Sequence, residues 1–387
     1  MKKIAILGST GSIGSSLISI IKKDSKNFKI ELVTANTNYK KIIKQAQLFG
    51  IKNIIITNKK YFLITKKILK NQNINIYNDF SSLNKIFKNK KVDYIMSAIS
   101  GFEGLKPTLD VIKYTKNIAI ANKESIICGW NLINKNLNKF KTKFIPIDSE
   151  HFSIWSLLDN VKKDNLEKVY LTASGGPFRN YPLNQFKNIT PKKALKHPNW
   201  SMGKKISIDS ATMMNKVFEI IEAKKIFGLD YDQLKILVHK ESYIHAIVKF
   251  DNGLTKILIH DTSMLIPIFN SLYKKNEKKI KSKKLNISTL NNLNLTDVNK
   301  KRFPVVNLID QLPANDSMFE TVLVSANDAL VNLFLNKKIR FVDISIQLSK
   351  IANLKEFKRY KSKYPQNLSE INKLANYVSL KINSMSI

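Results

Sequence analysis

The first 149 residues alternate short apolar runs with amphipathic stretches, and this rhythm constrains the fold more than any other feature. The apolar runs are Ile4–Leu7, Glu31–Thr34, Asn53–Thr57, Val92–Ala98, Ile118–Ala121 and Phe144–Ile147. A strand that is followed repeatedly by a helix builds a parallel sheet with helices on both faces. The pattern therefore predicts a doubly wound α/β domain over residues 1–149.

The remaining residues predict two further regions and a connection between them. Residues 150–273 read as a central α/β domain, with a helix over Met213–Phe227 and strand-like runs at Lys168–Ala173, Lys205–Asp209, Lys235–Val238 and Leu254–Ile259. The Lys-rich start of 274–299 indicates a connecting segment on the surface. Over 300–387, apolar residues recur at spacings of three and four, as in Ile344, Leu348, Ile351 and Leu354. This spacing predicts a C-terminal α-helical domain.

The formal net charge of +36 raises the alternative of a nucleic-acid-binding protein. The lysines are spread along the whole chain, arginine is scarce, and no basic tail or zinc-finger spacing is present. We therefore expect at most weak, nonspecific binding to nucleic acid. The charge is also suited to attracting a small polyanionic substrate.

The single cysteine, Cys128, excludes an intrachain disulfide and a cysteine-based metal site. The alternative among enzymes is another two-domain NADP oxidoreductase, such as a semialdehyde or homoserine dehydrogenase. A semialdehyde dehydrogenase needs a thiol nucleophile, and the sequence around Cys128, the only candidate, offers little support for one. No apolar run is long enough to span a bilayer, and the N-terminus lacks a signal pattern. These features predict a cytoplasmic protein with no membrane partner.

A glycine-rich loop, Gly8-Ser9-Thr10-Gly11-Ser12-Ile13-Gly14, follows the first strand and opens a helix. Such a loop lets a pyrophosphate approach the backbone N–H groups at a helix N-terminus, as in Rossmann-like dinucleotide domains. The second strand ends in Thr34-Ala35-Asn36-Thr37-Asn38, without an acid for a ribose hydroxyl, and Lys40 and Lys41 follow. The loop predicts a dinucleotide, and the missing acid together with the nearby cations favours NADP.

Four further segments carry residues suited to a metal site, a phosphate site or a lid over the substrate. Asp148 and Glu150 are two residues apart on a chain that we expect to be extended, so their side chains point the same way. Two carboxylates in this arrangement suit a hard cation, and Glu219 could supply a third. Ser210 or Thr212 suits the N-cap of a phosphate-binding helix that carries Asn215 and Lys216. The Ser174-Gly175-Gly176-Pro177 turn permits close approach to an anion, and His197–Gly203 suggests a lid loop.

Taken together, these segments resemble one enzyme family. GSTGSIG at 8–14, ANKES at 121–125, DSEH at 148–151, SGGPFR at 174–179, HPNWSMG at 197–203 and DSATMMNK at 209–216, followed by Glu219, occur in the order found in 1-deoxy-D-xylulose 5-phosphate reductoisomerases. The resemblance covers the first two-thirds of the chain and, more loosely, the helical C-terminus. It implies a homodimer that uses NADPH and Mg²⁺ or Mn²⁺, with Co²⁺ as a further candidate.

The resemblance also implies site residues. The metal ligands would be Asp148, Glu150 and Glu219, and His245 would lie near the active site. The catalytic and substrate-binding residues would be Lys123, Ser149, Glu150, Ser174, His197, Trp200, Ser210, Asn215, Lys216 and Glu219, with Met202 on the lid. The cofactor-binding residues would be Gly8, Ser9, Thr10, Gly11, Ser12, Ile13, Asn36, Thr37, Asn38, Asn122, Glu124 and Gly203.

The implied reaction rearranges the carbon skeleton of a sugar phosphate, 1-deoxy-D-xylulose 5-phosphate, in retro-aldol and aldol fashion. NADPH then reduces the product to 2-C-methyl-D-erythritol 4-phosphate, a precursor of isoprenoids in the non-mevalonate pathway. The chain departs from the family pattern at Val217, Thr37, Asp328 and 261–265. The segment 261–265 corresponds to a segment that lies near the dimer contact in the family it resembles.

Overall fold

The computed structural model describes residues 1–159, 161, 165–200, 202–273 and 277–385. The chain forms two compact units. Unit 1 comprises Met1–Ile126, Asn131–Asp148 and Met264–Ile280, and unit 2 comprises Ile127–Trp130, Ser149–Ser263 and Lys281–Ile387.

Strands and helices follow one another along most of the described chain. The strands are β1 (Lys2–Leu7), β2 (Phe28–Ala35), β3 (Asn53–Ile56), β4 (Asn75–Tyr77), β5 (Tyr94–Ser97), β6 (Asn117–Ile120), β7 (Lys143–Pro146), β8 (Leu166–Ala173), β9 (Leu234–Val238), β10 (Ile244–Phe250), β11 (Thr255–Ile259) and β12 (Thr296–Asp297). The helices are α1 (Ser12–Lys23), α2 (Tyr39–Phe49), α3 (Lys59–Ile68), α4 (Leu83–Phe87), α5 (Leu105–Val111), α6 (Lys123–Phe140), α7 (Ser149–Leu157), α8 (Pro191–Ala194), α9 (Lys204–Thr212), α10 (Met214–Phe227), α11 (Leu265–Leu272), α12 (Ile287–Asn291), α13 (Phe319–Leu335), α14 (Phe341–Asn353), α15 (Lys355–Lys358) and α16 (Leu368–Ser384).

Unit 1 is built on a parallel sheet with the strand order β4-β3-β2-β1-β5-β6-β7. The sheet confirms the doubly wound, Rossmann-like prediction. The chain order reverses beside β1, and open α/β sheets bind ligands at such a switch point, beyond the carboxyl ends of the strands. Strand β4 was not predicted because its three residues are too few to show a period.

Helix α11 packs onto the core of unit 1. Its side chains Ile268 and Leu272 are buried in the same cluster as Leu17 of α1. The Tyr94 hydroxyl also lies 2.8 Å from the Ser271 hydroxyl. The sequence-based boundaries place residues 264–273 in the central domain, whereas Met264–Ile280 belong to unit 1. The burial of the apolar face of α11, which local sequence does not reveal, accounts for the difference.

Unit 2 contains a mixed sheet with the strand order β11-β10-β8-β9-β12. Strands β8 and β9 are parallel, whereas the other neighbouring pairs are antiparallel. The predicted strand Lys205–Asp209 is wrong, because these residues lie in helix α9. Its alternation was too short to decide between strand and helix, and Ser207, Ile208 and Asp209 are all buried in the helix.

The C-terminal region of unit 2 is helical, as predicted. Ile344, Leu348 and Ile351 are buried along one face of α14, and Ile371 and Leu374 are buried on α16. The predicted connection 274–299 contains the short helix α12 and the strand β12, which pairs with β9; its residues 274–276 lie outside the described residues. Within the described residues, no helix combines the length and the apolar character that crossing a bilayer requires.

Candidate active site

The glycine-rich loop of unit 1 needs glycine at two positions for steric reasons. Gly8 has φ +76, and a Cβ atom there would lie 2.6 Å from the Ala98 carbonyl oxygen. A Cβ atom on Gly14 would lie 2.5 Å from the Gly8 carbonyl oxygen. Gly11 is the N-cap of α1, and within the described residues no side chain caps this helix start. The N–H groups of the first turn are therefore available to an anion.

The predicted cofactor residues after β2 form the entry to helix α2. Asn36, Thr37 and Asn38 are exposed. The Asn36 amide donates to the Thr57 hydroxyl at 2.9 Å, and the Asn38 side chain accepts from the Lys41 backbone N–H at 3.2 Å. These contacts order the segment at the end of β2, where a Rossmann-like domain places the adenosine ribose.

Asn122 caps α6 and ties it to the loop after β5. Its side chain accepts from the Ser125 N–H and donates to the Gly101 carbonyl at 2.7 Å. The neighbouring Lys123 donates to the Asp148 carboxylate, with 2.5 Å between Nζ and Oδ2. The predicted residue Glu124 is buried in the first turn of the same helix. The start of α6 therefore brings a cation to Asp148.

Asp148, Glu150 and Glu219 form one cluster, with one potential ligand atom from each lying within 4.8 Å of the others. Asp148 ends unit 1 and precedes Glu150 by two residues. Glu150 lies in the first turn of α7, and Glu219 is on α10. The expectation of an extended chain is wrong, because α7 begins at Ser149. The three acids nevertheless come together, since the helix start turns Glu150 toward Glu219.

Lysine side chains compensate the negative charge of this cluster. The Lys216 ammonium donates to the Glu150 carboxylate at 3.0 Å and to Glu219. Asn215 donates to the other oxygen of Glu219. Three carboxylates this close repel strongly when a cation is lacking, and oxygen-only donors suit Mg²⁺ or Mn²⁺. The cluster therefore fits a divalent metal ion, which would compete with Lys216 for Glu150 and Glu219.

A second group of predicted residues meets around the turn after β8. The Ser174 hydroxyl lies 3.0 Å from Nε2 of His197 and accepts from the Gly176 N–H at 3.0 Å. Gly176 has φ +63, and a Cβ atom there would lie 2.8 Å from the Ser210 carbonyl oxygen. Ser174, His197 and Ser210 therefore belong to neighbouring segments. Asn215 and Lys216, predicted for the same phosphate, instead contact the carboxylate cluster.

The expected N-cap role of Ser210 and Thr212 is wrong. Ser210 lies inside α9, Thr212 ends it, and Met213 separates α9 from α10 with φ +72. The Thr212 hydroxyl still accepts from the Met214 N–H at 3.3 Å, so it supports the start of α10 from outside the N-cap position. Val217, a departure from the family pattern, is fully buried in α10. Asp328, another departure, pairs with Lys205 at 3.0 Å.

The predicted lid loop is anchored by its own polar groups. The Asn199 amide donates to the Ser242 hydroxyl at 2.8 Å and to the Lys240 carbonyl at 2.7 Å. Trp200 packs edge-on against His245, with 6.2 Å between the ring centroids. Met202 is half-buried and Gly203 is the N-cap of α9, whereas Ser201 lies outside the described residues.

Sequence reasoning missed His260 at this site. Its ring stacks on His245 with a centroid separation of 3.7 Å, and its carbonyl oxygen lies 3.2 Å from Nε2 of His245. His260 is distant from the recognised motifs, and no local pattern marks it. Only the antiparallel pairing of β10 with β11 brings the two histidines together.

His197 is held in one neutral tautomer. Its Nδ1 accepts backbone N–H groups from Asn199 at 3.2 Å and Trp200 at 2.9 Å, so Nε2 carries the proton and donates to Ser174. Burial, and after it the charge of Arg179, lowers the pKa of His197 to about 4. At neutral pH the imidazole is therefore uncharged.

The lowered pKa of His197 predicts a dependence of stability on pH. In the unfolded chain this group takes up a proton near its ordinary pKa of 6.5, whereas in the folded chain it stays neutral down to about 4. The stability it contributes is thus present above pH 6.5 and is lost as the pH falls toward 4. We expect the melting temperature of His197→Gln to fall less over this range than that of the parent chain. Equal falls would contradict the assignment.

The comparisons with family models cover most of the chain. Residues 4–129 match the 1-deoxy-D-xylulose 5-phosphate reductoisomerase model, residues 144–227 match the model of the family's C-terminal domain, and residues 260–378 match that of the DXP reductoisomerase C-terminal domain. Curated relatives agree with these matches. A 1-deoxy-D-xylulose 5-phosphate reductoisomerase of Pelagibacter ubique is 67% identical over 388 residues, covering 100% of both chains. One of Clostridium tetani is 39% identical, covering 89% of this chain and 90% of its own.

Solved structures of the same enzyme have the same fold. The Zymomonas mobilis protein in complex with NADPH is 30% identical, with a TM-score of 0.88 and 100% of both chains covered. A reductoisomerase in complex with NADPH, fosmidomycin and magnesium is 29% identical, with a TM-score of 0.90 over 99% of this chain and 98% of that one. The family models and the full-length relatives together show that this chain belongs to the 1-deoxy-D-xylulose 5-phosphate reductoisomerase family.

Proposed function

We propose that this chain converts 1-deoxy-D-xylulose 5-phosphate to 2-C-methyl-D-erythritol 4-phosphate with NADPH, as a step of isoprenoid precursor biosynthesis. The observation that carries the proposal is the carboxylate cluster of Asp148, Glu150 and Glu219. A dinucleotide domain alone fits many dehydrogenases, whereas a three-acid, oxygen-only cluster fits a substrate whose carbonyl and hydroxyl oxygens bind to a metal ion. Family membership supports the same reaction.

Asp148, Glu150 and Glu219 would hold Mg²⁺ or Mn²⁺, which when bound supplies Lewis-acid polarisation of substrate oxygens. Lys216 and Asn215 orient the carboxylates through direct hydrogen bonds to Glu219. Lys123 does the same for Asp148, and the Ser149 hydroxyl donates to Glu150 at 2.6 Å. The chain thus orders its acids before the substrate arrives, which lowers the reorganisation that binding requires.

The Ser174 and His197 group would receive the substrate phosphate, together with Ser210. At neutral pH, Ser174 and His197 present a hydroxyl and an Nε2–H that contact each other, and Gly176 of the same turn lies close to the Ser210 carbonyl oxygen of α9. Trp200 and Met202 on the lid loop would exclude water from the substrate. The loop Gly8–Gly14 would bind the pyrophosphate of NADPH at the start of α1, and the bound cofactor would supply the hydride.

The test is a measurement of NADPH oxidation with 1-deoxy-D-xylulose 5-phosphate, with Mn²⁺ or with chelator. We expect metal-dependent oxidation whose product is the methylerythritol phosphate, identified by mass spectrometry and NMR. Chelation should abolish turnover, and added metal should restore it. Absence of turnover by folded, NADPH-binding protein at saturating metal would contradict the proposal.

A homodimer in the cytoplasm completes the proposal. Strand β11 is an edge of the sheet in unit 2, and Leu254 and Ile257 beside and within it are 58% and 51% exposed. An exposed edge with apolar side chains favours pairing with a second copy. The single buried Cys128 and the use of NADPH suit a reducing compartment. Analytical ultracentrifugation measures the oligomeric state, and a monomer at micromolar concentration would contradict the dimer.

A further inference from the structure

Lys41 lies between two parts of the predicted cofactor site. It belongs to the first turn of α2, directly after the segment Asn36–Asn38 that follows β2. Its ammonium donates to the Thr10 carbonyl at 2.9 Å and to the Ser15 hydroxyl at 2.5 Å. One side chain thus joins the glycine-rich loop to the end of the second strand.

The charge of Lys41 is available to an anion. An ammonium group has three N–H donors, and two are used by Thr10 and Ser15. Among the described residues no carboxylate pairs with Lys41, and its side chain is half-buried, so bulk water screens its charge less than that of an exposed lysine. The start of α2 adds the positive end of a helix dipole at the same place.

The position of this charge corresponds to one particular part of a dinucleotide. In Rossmann-like domains the residue at the end of the second strand faces the adenosine ribose, where an acid binds the 2′-hydroxyl and a cation accommodates a 2′-phosphate. In this chain that segment reads Asn36-Thr37-Asn38 and offers neither an acid nor a cation. Lys41 follows this segment in the first turn of α2, and its hydrogen bond to the Thr10 carbonyl holds its charge at the glycine-rich loop.

We propose that Lys41 selects NADPH over NADH by binding the 2′-phosphate of the adenosine ribose. The inference rests on the proposed use of NADPH and names the residue that decides it. Thr10 and Ser15 act as positioning residues, because they hold the ammonium where the phosphate arrives. If Lys41 instead bound the pyrophosphate, which both cofactors share, its loss would weaken NADPH and NADH equally. The test below distinguishes these two outcomes.

The test compares the binding of two pairs of ligands to the full chain. NADPH differs from NADH, and adenosine 2′,5′-bisphosphate from AMP, by the phosphate in question. In Lys41→Met we expect affinity for NADPH and for the bisphosphate to fall by about tenfold or more, equivalent to about 1.4 kcal/mol. Affinity for NADH and AMP should stay within about twofold. Lys40→Met, at an exposed neighbour, is the matched control and should leave all four affinities unchanged.

Two further variants separate the charge from the shape of the loop. Lys41→Arg keeps the cation and should retain most of the preference for NADPH, whereas Lys41→Gln keeps donors without charge and should lose it. Equal losses for NADPH and NADH would overturn the proposal in favour of the pyrophosphate or a structural role. Unchanged NADPH affinity in folded Lys41→Met or Lys41→Gln would overturn it as well.

The binding measurements do not need turnover, so the failure of each proposal can be recognised separately. If the chain fails to convert the sugar phosphate but Lys41→Met shifts the ratio of NADPH to NADH affinity, the proposed reaction fails and the role of Lys41 stands. If turnover is observed and that ratio is unchanged, the reaction stands and the role of Lys41 is wrong.

Discussion

Glu219→Gln is expected to lower kcat/KM for the sugar phosphate by about a thousandfold or more, equivalent to roughly 4 kcal/mol of transition-state stabilisation. Glu219 is 1% exposed and accepts hydrogen bonds from Asn215 and Lys216. The amide keeps the size of the side chain but removes one of three negative charges, so the site binds a divalent cation more weakly. Steady-state kinetics over a range of Mn²⁺ concentrations measure the effect.

Measuring the NADPH affinity of Glu219→Gln distinguishes loss of metal binding from loss of the folded structure. The glycine-rich loop belongs to unit 1, whereas Glu219 belongs to unit 2, so Glu219→Gln should leave NADPH affinity nearly unchanged. Glu167→Gln is a suitable control, because Glu167 is 40% exposed and pairs with Lys249 on the surface. Near-normal turnover in Glu219→Gln, or loss of NADPH binding together with turnover, would count against the metal assignment.

Gly14→Ala is expected to lower NADPH affinity by at least about a hundredfold, equivalent to roughly 2.7 kcal/mol. The new Cβ atom would lie 2.5 Å from the Gly8 carbonyl oxygen and 2.6 Å from the Ser9 Cα atom. Both neighbours are backbone atoms, so the glycine-rich loop must move away from the start of α1. The displaced N–H groups no longer meet the pyrophosphate, and binding of NADPH measured by calorimetry should reveal the loss.

Overpacking at Gly14 should also cost about 1–3 kcal/mol of stability, which thermal unfolding measures. Ser19→Ala is the control in the same helix, because Ser19 is exposed and its hydroxyl contacts only the Ser16 carbonyl among the described residues. It should change neither NADPH affinity nor the melting temperature appreciably. If folded Gly14→Ala bound NADPH as tightly as the parent chain, the assigned function of the loop would be wrong.

Much of the site was predictable because its residues lie close together along the chain. The loop Gly8–Gly14 and the acids Asp148 and Glu150 are short segments whose residue types limit what they can bind. Their recognition did not depend on correct secondary structure, as Glu150 shows, since it lies on a helix and not on an extended strand. The acids were expected to cluster because the chain was predicted to be extended there; the cluster is present, although the chain forms a helix at this point.

Contacts between distant segments were not predictable in the same way. His260 stacks on His245 only because β10 and β11 pair, and α11 joins unit 1 only because its apolar face completes that core. Local residue spacing reveals neither contact, because a short apolar run has the same pattern in a strand, in a helix or at an interface.

By itself the sequence determined the doubly wound sheet, the helical C-terminus and the residue types of the site, because these depend on periodicity and on side-chain chemistry within short windows. Only the tertiary structure decided that Lys205–Asp209 is a helix, that Lys216 joins Glu150 to Glu219, and that Lys41 reaches Thr10. The surfaces that pack together decide whether a short buried run forms a helix or a strand. They also decide which group a long cationic side chain contacts. Packing is a property of the whole chain, and no local window contains it.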